Sequence, residues 1–486
     1  MRPVLPAAPD GNDGGQSEED QAALGITVDD AATESSQEKR PKWTVYQFFL
    51  VGVLILVAIM NHADRASVGM LQELIKPELG LSDWELGLLV GPAFAIFYSI
   101  SGFPMARMAE RMHRPKLLAC AIAFWSSATA FSAGAMNFAH LALCRVGVGL
   151  GEGGANPISL ALIGSSFSAR QRGRAMSAFA AAGPIGVILA PILTMGVAHM
   201  WGWRAAFIAL AIPGFLIALL LFFTVREPRE SASAEQLARE KPKSFWEDSK
   251  HLARTPAFPL MVFGVILFGT GTHGMGSFTT SLLLREFELS LPEVGAIISV
   301  RGGIGLLGVL LGGILADKFA DSQGKSYLLI PAIGTAVGAV FYFLMFRSMD
   351  VIWFIVLMNI ANFAVDLKSG PLLAAVQNLT PDRMRATSTA YFFLGVTVFG
   401  SVVGSLMVGG LSDYMAAQSF ASEFGAYSEV CRGGRAVVQS AVDVNEACAT
   451  ASGAGLRSAL TVAPIFYLLA AIMFYLASRK AEIVKG

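Results

Sequence analysis

The sequence predicts an all-α integral membrane protein with twelve transmembrane helices in two pseudo-symmetric bundles of six. Three observations carry this expectation. The 486 residues are 54% hydrophobic and only 15% charged, with a mean hydropathy of +0.56, whereas soluble domains carry about 25% charged residues. Apolar stretches of about 20 residues, enough to cross a bilayer as a helix, recur along the chain. They divide six and six about one polar interval, EPRESASAEQLAREKPKSFWEDSK.

Residues 1–42 are rich in Asp, Glu, Ser and Gly and hold no apolar run. A secretory signal needs a basic start and an apolar core, so this segment reads as a disordered cytoplasmic tail. Residues 43–225 form the first bundle, with helices near 44–71, 86–109, 116–136, 138–164, 174–198 and 203–225. Residues 226–255 are a cytoplasmic linker with room for an interfacial helix. Residues 256–480 form the second bundle, with helices near 256–284, 292–316, 325–346, 350–378, 385–413 and 457–478. A short tail, 481–486, follows.

Lys and Arg cluster in alternate loops: KRPKW, ARMAERMHRPK, SARQRGR, the linker, ADKFADSQGK, PDRMR and SRKAEIVK. Short loops rich in Lys and Arg stay cytoplasmic. Both termini are therefore expected inside, in a multi-pass protein of a bacterial inner membrane. By the same parity residues 414–456 form a long outer loop holding Cys431 and Cys448. That space is oxidising, so a disulfide is expected there. Cys120 and Cys144 fall within helices and are expected as buried apolar packing.

The composition also excludes. Net charge is zero, which gives no basic surface for nucleic acid. The chain has no H-E-x-x-H, G-x-S-x-G or Cys–His metal pattern, so neither an enzyme nor a metal site is expected. No G-x-x-x-x-G-K-[ST] is present, so any energy must come from an ion gradient. Arg145–Pro157, RVGVGLGEGGANP, contains a G-x-G-x-x-G match. A dinucleotide fingerprint follows a strand in a βαβ unit; this one lies inside an apolar span. Its glycines read instead as small contacts, Gly147 with Gly151 and Gly149 with Gly153, that let helices approach closely.

Ionisable residues at membrane depth cost free energy unless paired or hydrated, and they mark function. In the first half they are Asp64, Arg65, Arg145 and Glu152, with His62 beside them. Measured from a helix end near residue 71, Asp64 lies roughly 10 Å deep. Arg145 lies at a similar depth on helix 4, so the two are expected to pair. Glu152 is two turns further along the same face. A carboxylate whose cation is drawn away in a low dielectric takes up a proton, so this group is expected to couple protons to substrate. In the second half the candidates are His273, Arg301, Asp366 and Lys368. Asp366 and Lys368 fall on different helix faces unless Gly370–Pro371 breaks the helix.

The halves resemble each other. Ala106–Lys116, ARMAERMHRPK, and Gly313–Lys318, GILADK, both put an acid–base pair at the inner end of a half's second helix. Six helices, a linker and six helices is the plan of major facilitator transporters. The first stretch resembles that family's G-x-x-x-D-R-x-G-R-[KR] loop. Ala106, Glu110 and His113 replace two glycines and the Asp, Arg111 and Arg114 are kept, and Pro115 displaces the last base to Lys116. The resemblance implies a cytoplasmic gate built from Glu110, Arg111, Arg114 and Asp317.

NHADR at Asn61–Arg65 looks like the N-x-x-D-R of Spinster-like transporters. GLGEGGANP looks like their helix 4 pattern, Gly370–Ala386 like their helix 10–11 passage, and GLRSAL before the last helix also fits. Helix 11, LGVTVFGSVVGS, departs from them in lacking an Asn-containing start. The resemblance implies alternating access, Asp64, Arg145 and Glu152 as the proton- and substrate-coupling group, protons as coupling ion with no other cofactor, and a lysolipid- or sphingolipid-like substrate. N-x-x-D-R also looks like anion:cation symporters of organic and sugar acids, so a small anion is the alternative substrate. A non-transporting sensor is a second alternative. The expected partners are an amphipathic or anionic small molecule and membrane lipids, with the chain as a monomer.

Overall fold

Thr44 and Gln47 open the first helix by capping each other's backbone N–H groups, which satisfies donors a helix start leaves free. The computed structural model describes residues 43–227, 245–287, 289–319, 325–378, 380, 385–421, 424–437 and 442–481. The tails 1–42 and 482–486 and linker residues 228–244 lie outside the described residues.

By length and composition, nine helical stretches among the described residues can cross a membrane. Arg114–Ser132, and Phe138–Glu152 continued by Ala155–Ser166, are two more rods. The stretch Gln171–Thr224 holds two spans, because Gly202 leaves the helix at φ 81°, a conformation open mainly to glycine. The result is a twelve-helix fold. Spans are numbered here in chain order.

Span 1 is Val45–Leu79. Span 2 is Asp83–Val90 and Pro92–Arg111, span 3 Arg114–Ser132, and span 4 Phe138–Glu152 and Ala155–Ser166. Span 5 begins with Ala169–Ala180 and runs to the Gly202 bend, and span 6 ends at Thr224. Spans 7, 8 and 9 are Ala257–Glu286, Leu291–Lys318 and Ser326–Arg347. Span 10 is Val351–Asp366 and Ser369–Asn378. Span 11 is Arg385–Leu394, a π-helical turn Gly395–Gly400, and Ser401–Ser419. Span 12 is Val442–Val462 and Pro464–Arg479. The linker's described end, Phe245–Arg254, is a short helix beside spans 7 and 11.

Two faces result. The terminal face carries the start of span 1 and the end of span 12. The loop face carries the segment between spans 11 and 12. The halves meet where spans 2 and 11 touch, Gly87 against the Ser405 carbonyl, and where spans 5 and 8 touch, Gly295 against the Pro191 carbonyl. On the loop side one buried cluster joins Leu71, Ile75 and Leu86 to Phe278, Leu282 and Val408 of the other half. Towards the terminal face, Leu50, Trp125, Ile158, Leu162 and Leu221 form a separate cluster within the first half.

Three expectations are corrected. Span 1 runs to Leu79 rather than ending near 71. At 1.5 Å per residue its 35 residues reach roughly 50 Å, well past a hydrocarbon core of about 30 Å. Its polar end stays helical because Leu71 and Ile75, four residues apart, are fully buried and Gln72 donates to the Ser277 carbonyl at 2.9 Å. The long loop 414–456 shrinks to 420–441, since the polar ends of spans 11 and 12 remain helical and pack together, Gly455 against the Ser412 carbonyl. Cys120 is exposed and Cys144 half-buried, so neither is buried core packing. Cys431 and Cys448 are joined as a disulfide.

Candidate functional site

Both halves interrupt their fourth span directly after an acid. In the first half the helix ends at Glu152 and restarts at Ala155; in the second it ends at Asp366 and restarts at Ser369. Each break leaves an acidic side chain at the middle of its bundle.

Close packing seats the first of these. A Cβ at Gly149 would stand 2.7 Å from the Phe94 carbonyl, at Gly151 2.7 Å from Trp125 Cβ, and at Gly153 it would run into the Tyr98 carbonyl. Span 4 is thereby pressed onto spans 2 and 3, and its charges face span 1. Glu152 is fully buried, and Asp64 and Arg145 are each 2% exposed.

The pairing differs from the expected one. Arg145 does not hold the Asp64 carboxylate. Its Nη1 donates to the Asp64 main-chain carbonyl at 3.1 Å and its Nη2 to that of Arg65 at 3.3 Å. The Asp64 carboxylate accepts from Thr129 Oγ1 at 3.1 Å. With span 1 ending at Leu79, Asp64 lies fifteen residues, or roughly 22 Å, from the end. The residues past 71 extend the helix beyond the hydrocarbon without moving Asp64 deeper; at that level Arg145 reaches backbone rather than carboxylate.

Arg65 takes the acid instead. Its Nε donates to Glu152 Oε2 at 3.0 Å. Its guanidinium carbon lies 4.1 Å from the Tyr98 ring centre and 5.5 Å from that of Phe94, within cation–π range. Arg145 lies 5.1 Å from the same Phe94 ring. Glu152 Oε1 and Arg65 Nη2 have no hydrogen-bond partner among the described residues. The Arg65 side chain is 26% exposed while Glu152 is sealed.

Arg65 opens onto a cavity of about 330 Å³ between the halves. Its ionisable lining groups are His62, Arg65 and His273, all basic; Met70, Val90, Phe94, Val187 and Ile298 make it otherwise largely apolar. His62 Nδ1 hydrogen-bonds the Ala58 carbonyl at 2.8 Å. Thr397, within the π turn, and Ser401, just after it, add hydroxyl groups; such turns recur at functional sites.

The second acid sits in the C-terminal half. Lys368 Nζ is 3.6 Å from Asp366 Oδ1 and 3.9 Å from the centre of the Phe268 ring. They meet because the helix breaks at Leu367–Lys368, ahead of Gly370–Pro371. Asn362 Nδ2 donates to Asp366 Oδ2 at 3.1 Å, and Arg301 Nε donates to Asn362 Oδ1 at 3.1 Å. Arg301 forms no ion pair among the described residues, so this cluster holds two cations and one anion.

The cavity is closed on the loop side in layers. Gln72 bonds Ser277 and Ser281. Beyond it Arg285 grips Glu73 (Nη2–Oε1 2.7 Å) and Asp83 (Nη1–Oδ2 2.8 Å) of the other half. Lys76 pairs with Asp83 at 2.8 Å, and Ser412 Oγ donates to Asp83 at 2.6 Å. Sequence reasoning missed this layer because it took 72–85 for a loop, although Ser82 and Glu85 spell a helix start.

Among the described side chains, the expected gate residues Arg111, Arg114 and Asp317 form no ion pair with one another. Arg114 is buried within its own half, its Nε 3.0 Å from Glu227 Oε1 and its Nη1 3.0 Å from the Ala161 carbonyl. Arg111 and Asp317 are exposed; Asp317 accepts from Tyr327 at 3.0 Å. The Glu110 side chain lies outside the described residues. Among the described residues no group of three or more His, Cys, Asp and Glu is placed to hold a metal ion.

The Major Facilitator Superfamily profile matches residues 54–405. The chain is 31% identical over 369 residues to an MFS-type efflux pump of Mycolicibacterium smegmatis, covering 75% of this chain and 84% of that protein. It is 26% identical over 348 residues to a probable L-galactonate transporter of Escherichia coli, covering 69% and 76%. It is 31% identical over 313 residues to protein spinster homolog 1 of Homo sapiens, covering 61% and 59%. The crystal structure of a bacterial homolog to the human lysosomal transporter Spinster, inward-facing and unoccupied, matches its fold with a TM-score of 0.80 at 23% identity, over 90% of this chain and 98% of that one. Twelve spans in two halves about a central cavity, and a family match across both halves, lead to one conclusion: the chain belongs to the major facilitator superfamily of transporters and is similar to the Spinster proteins within it.

Proposed function

We propose that the protein is a proton-coupled secondary transporter that moves an anionic amphiphile by alternating access, as a monomer in a bacterial inner membrane with both termini cytoplasmic. The observation that carries this reading is Arg65, a cation shared between a sealed acid and an open cavity. Its Nε holds Glu152, while part of the side chain remains exposed. An anionic headgroup in the cavity competes with Glu152 for the guanidinium. When Arg65 turns to the headgroup, Glu152 is left at 0% exposure without its ion-pair partner. A carboxylate so placed is neutralised by a proton. Substrate and proton then travel together, and release of the substrate returns Arg65 to Glu152 and expels the proton. Asp64, held by Thr129, is the second acid of the same cluster. The largely apolar walls, Met70, Val90, Phe94, Val187 and Ile298, favour a hydrocarbon portion.

The loop-side network leaves the cavity's other approach towards the terminal face. With the termini inside, that is an inward-facing state. The likeness to the inward-facing Spinster homolog supports this reading.

A second reading has its own support. A volume of about 330 Å³ is near the lower end for ligand pockets, and the ionisable lining groups are basic, which suits a small organic acid. The similarity to the probable L-galactonate transporter supports it. Uptake into proteoliposomes under an imposed pH gradient separates the two. A lysophospholipid should be carried and a hexonate should not. Hexonate flux with no lysophospholipid flux would transfer the assignment to organic acids; no gradient-driven flux of either would overturn the transport reading.

A further inference from the structure

Between spans 11 and 12 the chain forms a small hairpin. Its strands Cys431–Arg432 and Arg435–Ala436 pair antiparallel, with Cys431 opposite Ala436. Two-residue strands are too short to hold themselves, and this hairpin is fastened on both sides. Cys431 is bonded to Cys448 of span 12, and the Ala436 N–H donates to Asn445 Oδ1 at 3.2 Å. The hairpin therefore moves with the C-terminal half.

Its tip rests on the other half. Gly433 has φ 63°, and a Cβ there would stand 2.7 Å from the Lys76 carbonyl and 3.1 Å from Pro77 Cα. Arg432 lies along Gly80, whose Cβ would be 3.0 Å from Arg432 Nε. Beneath the tip, Lys76 Nζ reaches Ser452 of span 12 at 3.3 Å. Alongside, Asp413 of span 11 accepts from the backbone N–H groups of Asp83 and Trp84 at 3.1 and 2.8 Å, so one half caps a helix of the other.

We infer that this disulfide-stapled hairpin is a strap that holds the loop face shut. Opening that face draws the end of span 1 away from span 12. The staple keeps the hairpin from following span 1, so the Gly433–Lys76 and Arg432–Gly80 contacts must break with the ion pairs below them. Without the staple the short hairpin loses its fixed seat on Lys76, and the closed state loses those contacts. The strap thus biases the conformational cycle rather than the substrate site. The inference rests on the alternating-access reading, but its test reads conformation and needs no substrate.

The reporter is Gly276→Cys in a Cys120→Ser, Cys144→Ser background. Gly276 lines the cavity and a Cβ there meets nothing within 4 Å. An impermeant maleimide is added to sealed vesicles with the loop face outward. Cys431→Ser with Cys448→Ser removes the staple. Gly433→Ala keeps it but pushes the tip off Lys76. Both should label at least about fivefold faster than the background, while Val437→Ala, on the exposed flank of the hairpin, should not change the rate. The strap is overturned if either variant, eluting as a monodisperse peak, labels at the background rate.

Discussion

Replacing Arg285 by Gln should open the loop face. Arg285 spans the two halves with four charge-assisted bonds: Nε and Nη2 to Glu73 at 2.9 and 2.7 Å, Nη1 and Nη2 to Asp83 at 2.8 and 2.7 Å. Asp83 keeps Lys76 and Ser412 in the variant, but Glu73 loses both of its guanidinium bonds. Breaking a buried pair by removing one partner costs about 3–5 kcal/mol. Part of that is regained in the closed state because Asp83 stays paired, so a differential of about 3 kcal/mol is reasonable, which is roughly a hundredfold shift in the open-to-closed ratio. Arg285→Lys keeps the charge but not the two-pronged geometry, and about a tenfold shift is expected. The assay is loop-side maleimide labelling of the Gly276→Cys reporter. Labelling of Arg285→Gln at the unsubstituted rate, in a protein that elutes as a monodisperse peak, would refute the reasoning that this network closes the loop face.

Other substitutions probe the charge cluster and its packing. Gly151→Ala sets a methyl 2.7 Å from Trp125 Cβ. Overpacking of this kind costs about 1–3 kcal/mol, so the Tm in detergent should fall, while Gly164→Ala, with nothing within 4 Å, should leave it unchanged. Arg65→Gln removes the cavity's permanent cation. With a hydrogen bond to a charged group contributing about 1.5–3 kcal/mol, binding of an anionic amphiphile by titration calorimetry should weaken roughly 10- to 150-fold. Asp64→Asn should fold, since Thr129 can still donate to the amide oxygen, but should lose proton-driven transport. Full driven flux in that variant would remove Asp64 from the coupling group.

Much of the architecture is legible in the sequence because bilayer physics is simple. Length and apolarity mark a span, and glycine spacing marks close helices. Sequence reading was weaker where polar residues continue a helix beyond the hydrocarbon. Glu73, Lys76 and Asp83 look like loop residues until Arg285 and Ser412 are brought to them by the other half. The identity of the buried charges was also legible, since an ion at membrane depth is rare. Their pairing was not. Arg65 follows Asp64 directly and so points away from it, a turn that favours Glu152 only once span 4 is pressed onto spans 2 and 3. The breaks after Glu152 and Asp366 are marked by proline: Pro157 and Pro371 stand four residues after Gly153 and Leu367 and leave those carbonyls without a helical donor. The π turn of span 11, by contrast, was invisible, although Gly395 and Gly400 bracket it.

The central claim is that a headgroup drawing Arg65 away lets Glu152 take a proton. Its most direct measurement is proton uptake accompanying substrate entry, read with a pH-sensitive dye sealed in proteoliposomes carrying wild-type protein or Glu152→Gln. The wild type should move protons with an anionic amphiphile. Glu152→Gln should still exchange labelled for unlabelled substrate but move no protons with it. Proton movement at the wild-type ratio in Glu152→Gln would contradict the account.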